Sequence, residues 1–207
     1  KLAGDIKITS FADLLNPALK GKIAFGDPAN SSSAFQCLMA MLYSNGKNGD
    51  PMSPQAWAYV DNFIKNLDGK LLNSSGAVHK GAADGEYTVG LTWEDPAATY
   101  VKNGADVAVV FPAEGAIFPG ESVQIIKGAK HMENAKKFVD FMLSKKIQEE
   151  AGKTLTVRPL RKGVALADYM TPQDTIKVVP NYDEGWVSEY KKEIVAEWNK
   201  HLENSRQ

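Results

Sequence analysis

Residues Gly21 to Phe35 read Gly-Lys-Ile-Ala-Phe-Gly-Asp-Pro-Ala-Asn-Ser-Ser-Ser-Ala-Phe, an order that commits the chain to an α/β layout. Lys22 to Phe25 predicts a short buried strand, Gly26-Asp27-Pro28 breaks it, and Ser31 to Ser33 open an apolar helical run from Ala34 to Tyr43. Tyr87 to Thr92 and Val107 to Val110 predict two further strands, with a helix over Ala97 to Val101 between them. Strands separated by helices pair in parallel. In open sheets of that kind ligands bind beyond the carboxyl ends of the strands, where Ser31 to Ser33 and Trp93-Glu94-Asp95 both fall.

The first backbone N–H groups of a helix lack intrahelical partners, and the macrodipole adds positive potential there. Asn30, Ser31, Ser32 and Ser33 surround one such start and form a candidate anion pocket with little side-chain bulk. Capping accounts for one of these residues but less readily for three serines in a row. Asn73-Ser74-Ser75-Gly76 repeats the pattern before a short helix running to Gly85, and it is also an ordinary loop composition. Ser74 or Ser75 is the natural N-cap. His79, one turn into that helix, reads as a packing residue, a surface residue or a donor to an anion. In the helix opened by Ser53 and Pro54, Trp57, Val60, Phe63, Ile64 and Leu67 recur at helical spacing as a core stripe.

Trp93-Glu94-Asp95-Pro96 places an aromatic and two carboxylates just past a strand, suited to stacking on a sugar ring and accepting hydroxyl or ammonium hydrogens. Glu94 or Asp95 also suits the cap of a helix starting at Pro96. Glu114 follows the next strand in the same relative place and is a further candidate acceptor. No metal-ligand spacing, Walker loop, Gly-x-Ser-x-Gly or His-Glu-x-x-His occurs, so neither an enzyme nor a cofactor is expected. With 24 Lys plus Arg against 25 Asp plus Glu, nothing points to nucleic acid. Cys37 is the single cysteine, which excludes an internal disulfide.

From Gly120 the pattern changes to a strand over Ser122 to Ile126, an amphipathic helix from Glu133 to Leu143 and another over Lys145 to Ala151. Together, residues 21–34, Ala83-Asp-Gly-Glu-Tyr-Thr-Val-Gly90, Ile125-Ile-Lys-Gly-Ala-Lys-His131, Ala135-Lys-Lys-Phe-Val-Asp-Phe-Met-Leu-Ser144 and Val157-Arg-Pro-Leu160 resemble the extracellular solute-binding proteins of ABC importers. The nearest likeness is to the group named for iron(III), whose relatives include phosphonate and hexose-phosphate binders. The resemblance implies the periplasmic-binding-protein-like fold of type 2, an α/β architecture with two lobes. It assigns residues 14–118 and 158–207 to the second, ligand-binding lobe and 119–157 to the returning strand and helices of the first. On this expectation the chain is a C-terminal fragment lacking the opening part of the first lobe. Phe138, Phe141 and Met142 would then be exposed and recover a partner in a homodimer, a domain-swapped assembly or a separate chain.

The resemblance further implies a periplasmic or extracellular location, with or without a lipid anchor, and delivery of a captured solute to a membrane permease. Ferric members of the group use adjacent tyrosines after the strand that here ends at Thr92, where this chain has Trp93 and Glu94. The favoured ligand is therefore a phosphorylated small molecule, a sugar phosphate or a phosphonate, held by Asn30, Ser31, Ser32, Ser33, Ser74, Ser75, Trp93, Glu94, Asp95 and Glu114. Ferric iron or another cation is the alternative ligand. The effector-binding domain of a regulator is the alternative from another class, with no DNA-binding segment in view.

Overall fold

Apolar residues without alternation favour a strand covered on both faces, and Ile23, Ala24 and Phe25 are fully buried. In the computed structural model, which describes residues 4–120 and 122–206, strand β1 (Ile23–Ala24) pairs in parallel with β2 (Val89–Gly90). The register sets Ile23 opposite Val89 and Ala24 opposite Gly90. On its other edge the same segment makes a parallel bridge from Gly26 to Leu72, where Leu72 N–H donates to Phe25 O. Three extended stretches thus run side by side in one direction, with β1 in the middle.

Parallel neighbours need long crossovers, and helices supply them. Helix α1 (Ser32–Asn45) follows β1, α2 (Pro54–Leu67) returns, α3 (Ser75–Ala83) follows Leu72, and α4 (Glu94–Lys102) follows β2. Helix α1 is buried almost all round, from Ala34 through Tyr43, whereas α2 buries the stripe of Trp57, Val60, Phe63, Ile64 and Leu67. Gly90 lets β2 lie close on α3, because a Cβ there would stand 3.0 Å from the Ala82 Cβ.

Helices α5 (Met132–Met142) and α6 (Lys145–Thr154) come next, then α7 (Glu184–Glu189) and α8 (Lys191–Asn204). Helix α8 packs on α2, with Ile194 and Trp198 fully buried and the Trp198 ring edge-on to Phe25 at 5.9 Å. Near the end of α8, His201 stacks on Trp57 at 4.8 Å and meets Asp61 at 2.6 Å.

Three expectations need correction. The strands expected over Val107 to Val110 and Ser122 to Ile126 join no sheet among the described residues; extended chain becomes a strand only beside an edge that can accept it. Residues 87–92 contribute only Val89 and Gly90 to the ladder. Helix α4 begins at Glu94 rather than Pro96, with Trp93 at the N-cap position and no side-chain cap bond. Pro96 sits in the first turn, where its missing N–H costs nothing.

Candidate functional site

Because the three extended stretches are parallel, the helices that follow them all start at one edge. The turn into α1 is fixed by Asp27, whose carboxylate accepts from Ala29 N at 3.0 Å and from Asn30 Nδ2 at 2.8 Å, while its carbonyl accepts from Ser31 N at 2.8 Å. Asn30 is thereby drawn into the turn itself. Ser31 is the cap, its hydroxyl accepting from Ala34 N at 3.4 Å and sharing a 3.1 Å bond with the Ser33 hydroxyl. Gly26 allows this close approach, since a Cβ there would lie 3.3 Å from the Ala34 Cβ and 3.4 Å from the Ser31 Cβ. The backbone N–H groups of Ser32 and Ser33 find no acceptor among the described residues. Helix α3 repeats the arrangement: Ser74 caps it by accepting from Ala77 N at 3.2 Å, leaving the N–H groups of Ser75 and Gly76 without an acceptor among the described residues.

The start of α4 joins this edge through Trp93, which is 45 % exposed and meets the His79 ring edge-on at 5.2 Å. His79 Nε2 and Thr92 Oγ1 are buried without a hydrogen-bond partner among the described residues. Burial lowers the His79 pKa below its ordinary value, against an opposing pull from the Asp95 charge, so the imidazole is held toward its neutral form.

The three carboxylates expected to receive ligand hydroxyls are each occupied within the chain. Glu94 takes both prongs of Arg158, from Nε at 2.6 Å and Nη2 at 2.7 Å, with each side chain 15 % exposed. Arg158 Nη2 also donates to the Thr171 carbonyl at 2.7 Å, and the guanidinium lies over Phe111 and Phe118. Asp95 accepts from the Thr156 hydroxyl, which is bonded in turn to Thr99 Oγ1 at 2.6 Å. Glu114 accepts from Phe11 N at 3.0 Å and Ala12 N at 3.3 Å. It therefore caps the 3-10 helix Ala12–Leu15, because free N–H groups at a helix start bind a carboxylate. All three side chains expected as ligand acceptors thus have partners within the chain.

Arg158 is the residue that sequence reading missed. It sits in Val-Arg-Pro, outside any periodic segment, and the only available signal was that Glu94 and Asp95 need a counter-charge. Arg158 also lines a cavity of about 500 Å³ together with Leu166, Asp168, Met170, Pro172 and Gln173. Among the described residues no group of three or more His, Cys, Asp or Glu side chains is placed to hold a metal ion. Cys37 lies in α1, its thiol pushed up to about 12 by burial.

A family model for bacterial extracellular solute-binding proteins matches residues 1–178. The spermidine/putrescine-binding periplasmic protein of Escherichia coli (strain K12) is 31% identical over 150 residues, which cover 72% of this chain and 41% of that protein. The periplasmic binding protein AfuA of Actinobacillus pleuropneumoniae, solved with fructose-6-phosphate bound, superposes with a TM-score of 0.80 at 28% identity. That match covers 97% of this chain and 62% of the solved one. A Bordetella ferric binding protein superposes with a TM-score of 0.63 at 20% identity, over 95% of this chain and 64% of the other, and shows a shared fold. The chain spans about half the length of the curated relatives it matches.

Proposed function

The chain belongs to the bacterial extracellular solute-binding proteins, whose members bind solutes rather than transform them, and from that premise we propose that it captures a small phosphorylated or phosphonate solute for an ABC importer. One observation carries this reading: the edge formed by three helix starts has unused N–H donors, while the carboxylates nearby are already paired. Neither α1 nor α3 carries an acidic residue in its first turn, which leaves positive potential there for an anion, with the N–H groups of Ser32, Ser33, Ser75 and Gly76 as donors. Glu94 and Asp95 are committed to Arg158 and Thr156 and offer a cation little. Each charge-assisted hydrogen bond contributes about 1.5–3 kcal/mol, so a few of them reach micromolar capture, about 8 kcal/mol.

Fructose-6-phosphate in AfuA supports the phosphorylated solute, whereas the printed specificity of the E. coli relative is for polyamines. Ser31 and Ser74 hold the helix starts in shape, Ser32, Ser33 and Ser75 supply donors, and exposed Trp93 offers a face to the rest of the solute. Division into two lobes that close on the ligand, release to a permease and self-association through α5 belong to the same proposal.

Thermal unfolding with glucose 6-phosphate, inorganic phosphate, 2-aminoethylphosphonate, spermidine and ferric citrate tests it. A ligand at 100 times its Kd stabilises by about 2.7 kcal/mol. Phosphorylated compounds or phosphonates should raise Tm, and Ser32→Ala with Ser33→Ala should reduce the shift. A response to spermidine or ferric citrate alone would overturn the reading.

A further inference from the structure

Helix α4 has little apolar footing. Ala98 is its one buried residue, so the burial that fixes α1 and α2 does little to fix α4. Polar contacts hold it instead, and they come from one short stretch at the end of α6 and just past it. Lys102 Nζ donates to the Thr154 carbonyl at 2.6 Å. Thr99 and Asp95 both meet the Thr156 hydroxyl, and Glu94 takes the fork of Arg158. Asp95, Thr99 and Lys102 stand at i, i+4 and i+7, on one face of the helix. Residues 154–158 thus clasp α4 from its first turn to its last.

Thr156 is the centre of the clasp and is buried, at 5% exposure. A hydroxyl has one hydrogen to give. Thr156 gives its hydrogen to Asp95, so the 2.6 Å bond between the two threonines is donated by Thr99 Oγ1. The bonds run one way, from Thr99 through Thr156 to a carboxylate, and a bond to an ionised acceptor is the stronger kind. Removing this one hydroxyl breaks both links. Trp93 directly precedes the clasped turn, at the N-cap position and without a side-chain cap bond. Its ring is 45% exposed and meets His79 of α3 edge-on at 5.2 Å. Where α4 begins therefore decides where the indole stands.

We propose that Thr156 is a positioning residue for solute capture: its hydroxyl, set between Thr99 and Asp95, fixes the start of α4 and so aims Trp93 at the part of the solute beyond its anionic group. This rests on the role given to Trp93 above and adds the side chain that makes the role possible.

Two measurements on the full chain test it. The first needs no solute. In protein labelled with 5-fluorotryptophan, which has four tryptophans, the fluorine resonance of Trp93 is assigned by Trp93→Phe. Thr156→Val should move that resonance and leave the other three in place, and Thr156→Ser, which restores the hydroxyl, should return it. Should Thr156→Val unfold, Thr99→Val at an exposed position breaks the same chain of bonds and should move the same resonance. The second is calorimetric titration with glucose 6-phosphate and inorganic phosphate. Thr156→Val should lower the ratio of the two affinities about fivefold, Thr156→Ser should restore it, and Thr156→Val combined with Trp93→Ala should lose no more than Trp93→Ala alone. A Trp93 resonance that stays put, additive losses, or no preference for glucose 6-phosphate in the unsubstituted protein overturns the inference while leaving the anionic-solute reading standing. Failure of both compounds to bind overturns both.

Discussion

Helices α2 and α5 carry the same kind of amphipathic pattern and meet opposite fates. The stripe of α2, Trp57, Val60, Phe63, Ile64 and Leu67, is buried against α1, α8 and β1. In α5, Phe138 and Phe141 remain 57% and 55% exposed, and no residue of that helix is buried. Periodicity tells which face of a helix is apolar; it does not supply the surface that covers it. Around α2 the chain brings that surface back itself, from residues more than a hundred positions away. Around α5, among the described residues, the main packed element is α6, and the contact is small.

The widest separation between the two regions should come from truncating matched aromatics. Trp198→Ala removes a fully buried ring packed on Phe25 and should cost about 3–5 kcal/mol, whereas Phe141→Ala should stay within about 0.5 kcal/mol. Urea unfolding of the two variants measures the difference, and equal losses would erase the contrast. Glu94→Ala comes next. It strands the Arg158 charge in a largely buried place and should cost about 3 kcal/mol. Helix caps sharpen the comparison further: Ser53→Ala, at the buried start of α2, should lose about 1 kcal/mol of global stability. Ser144→Ala, at the start of α6, removes a similar bond but should appear mainly as local hydrogen exchange in α6. Phe138→Glu with Phe141→Glu should leave the unfolding midpoint nearly unchanged, and light scattering should show it abolishing the self-association through α5 proposed above.

The smallest expected effect is one of pH. Burial lowers the folded pKa of His79 below the ordinary 6.5, against an opposing pull from Asp95. Below pH 6.5 the unfolded chain gains a proton that the folded chain resists, so this stability is present above 6.5 and lost as pH falls through the folded pKa. His79→Gln should flatten the stability profile in that window. An unchanged slope would move its origin elsewhere.

What was legible in the sequence was local. Ser53 as a cap, a cap within the serine run that the structure places at Ser31, one of Ser74 and Ser75 that it places at Ser74, and the α2 stripe all depend on spacings of three or four residues. The α/β order was legible for the same reason, because strand, turn and helix follow one another from Lys22 to Tyr43. The pairing of Glu94 with Arg158 spans 64 residues and that of Glu114 with Phe11 spans 103. Neither leaves a periodic trace, so both carboxylates looked free for a ligand. The strands at residues 107–110 and 122–126 failed differently: β-propensity was present, but no sheet edge was within reach among the described residues.

Glu114 also sets a timetable. Its carboxylate closes on Phe11 and Ala12 across 103 positions, and Ala113 N–H donates to the Thr9 carbonyl beside it. A growing polypeptide lengthening by about 5–20 residues per second has to wait several seconds after Phe11 is made before that acceptor follows to fasten it. The turn at Phe11 is thus tied down only after α1 and α2 have both been synthesised.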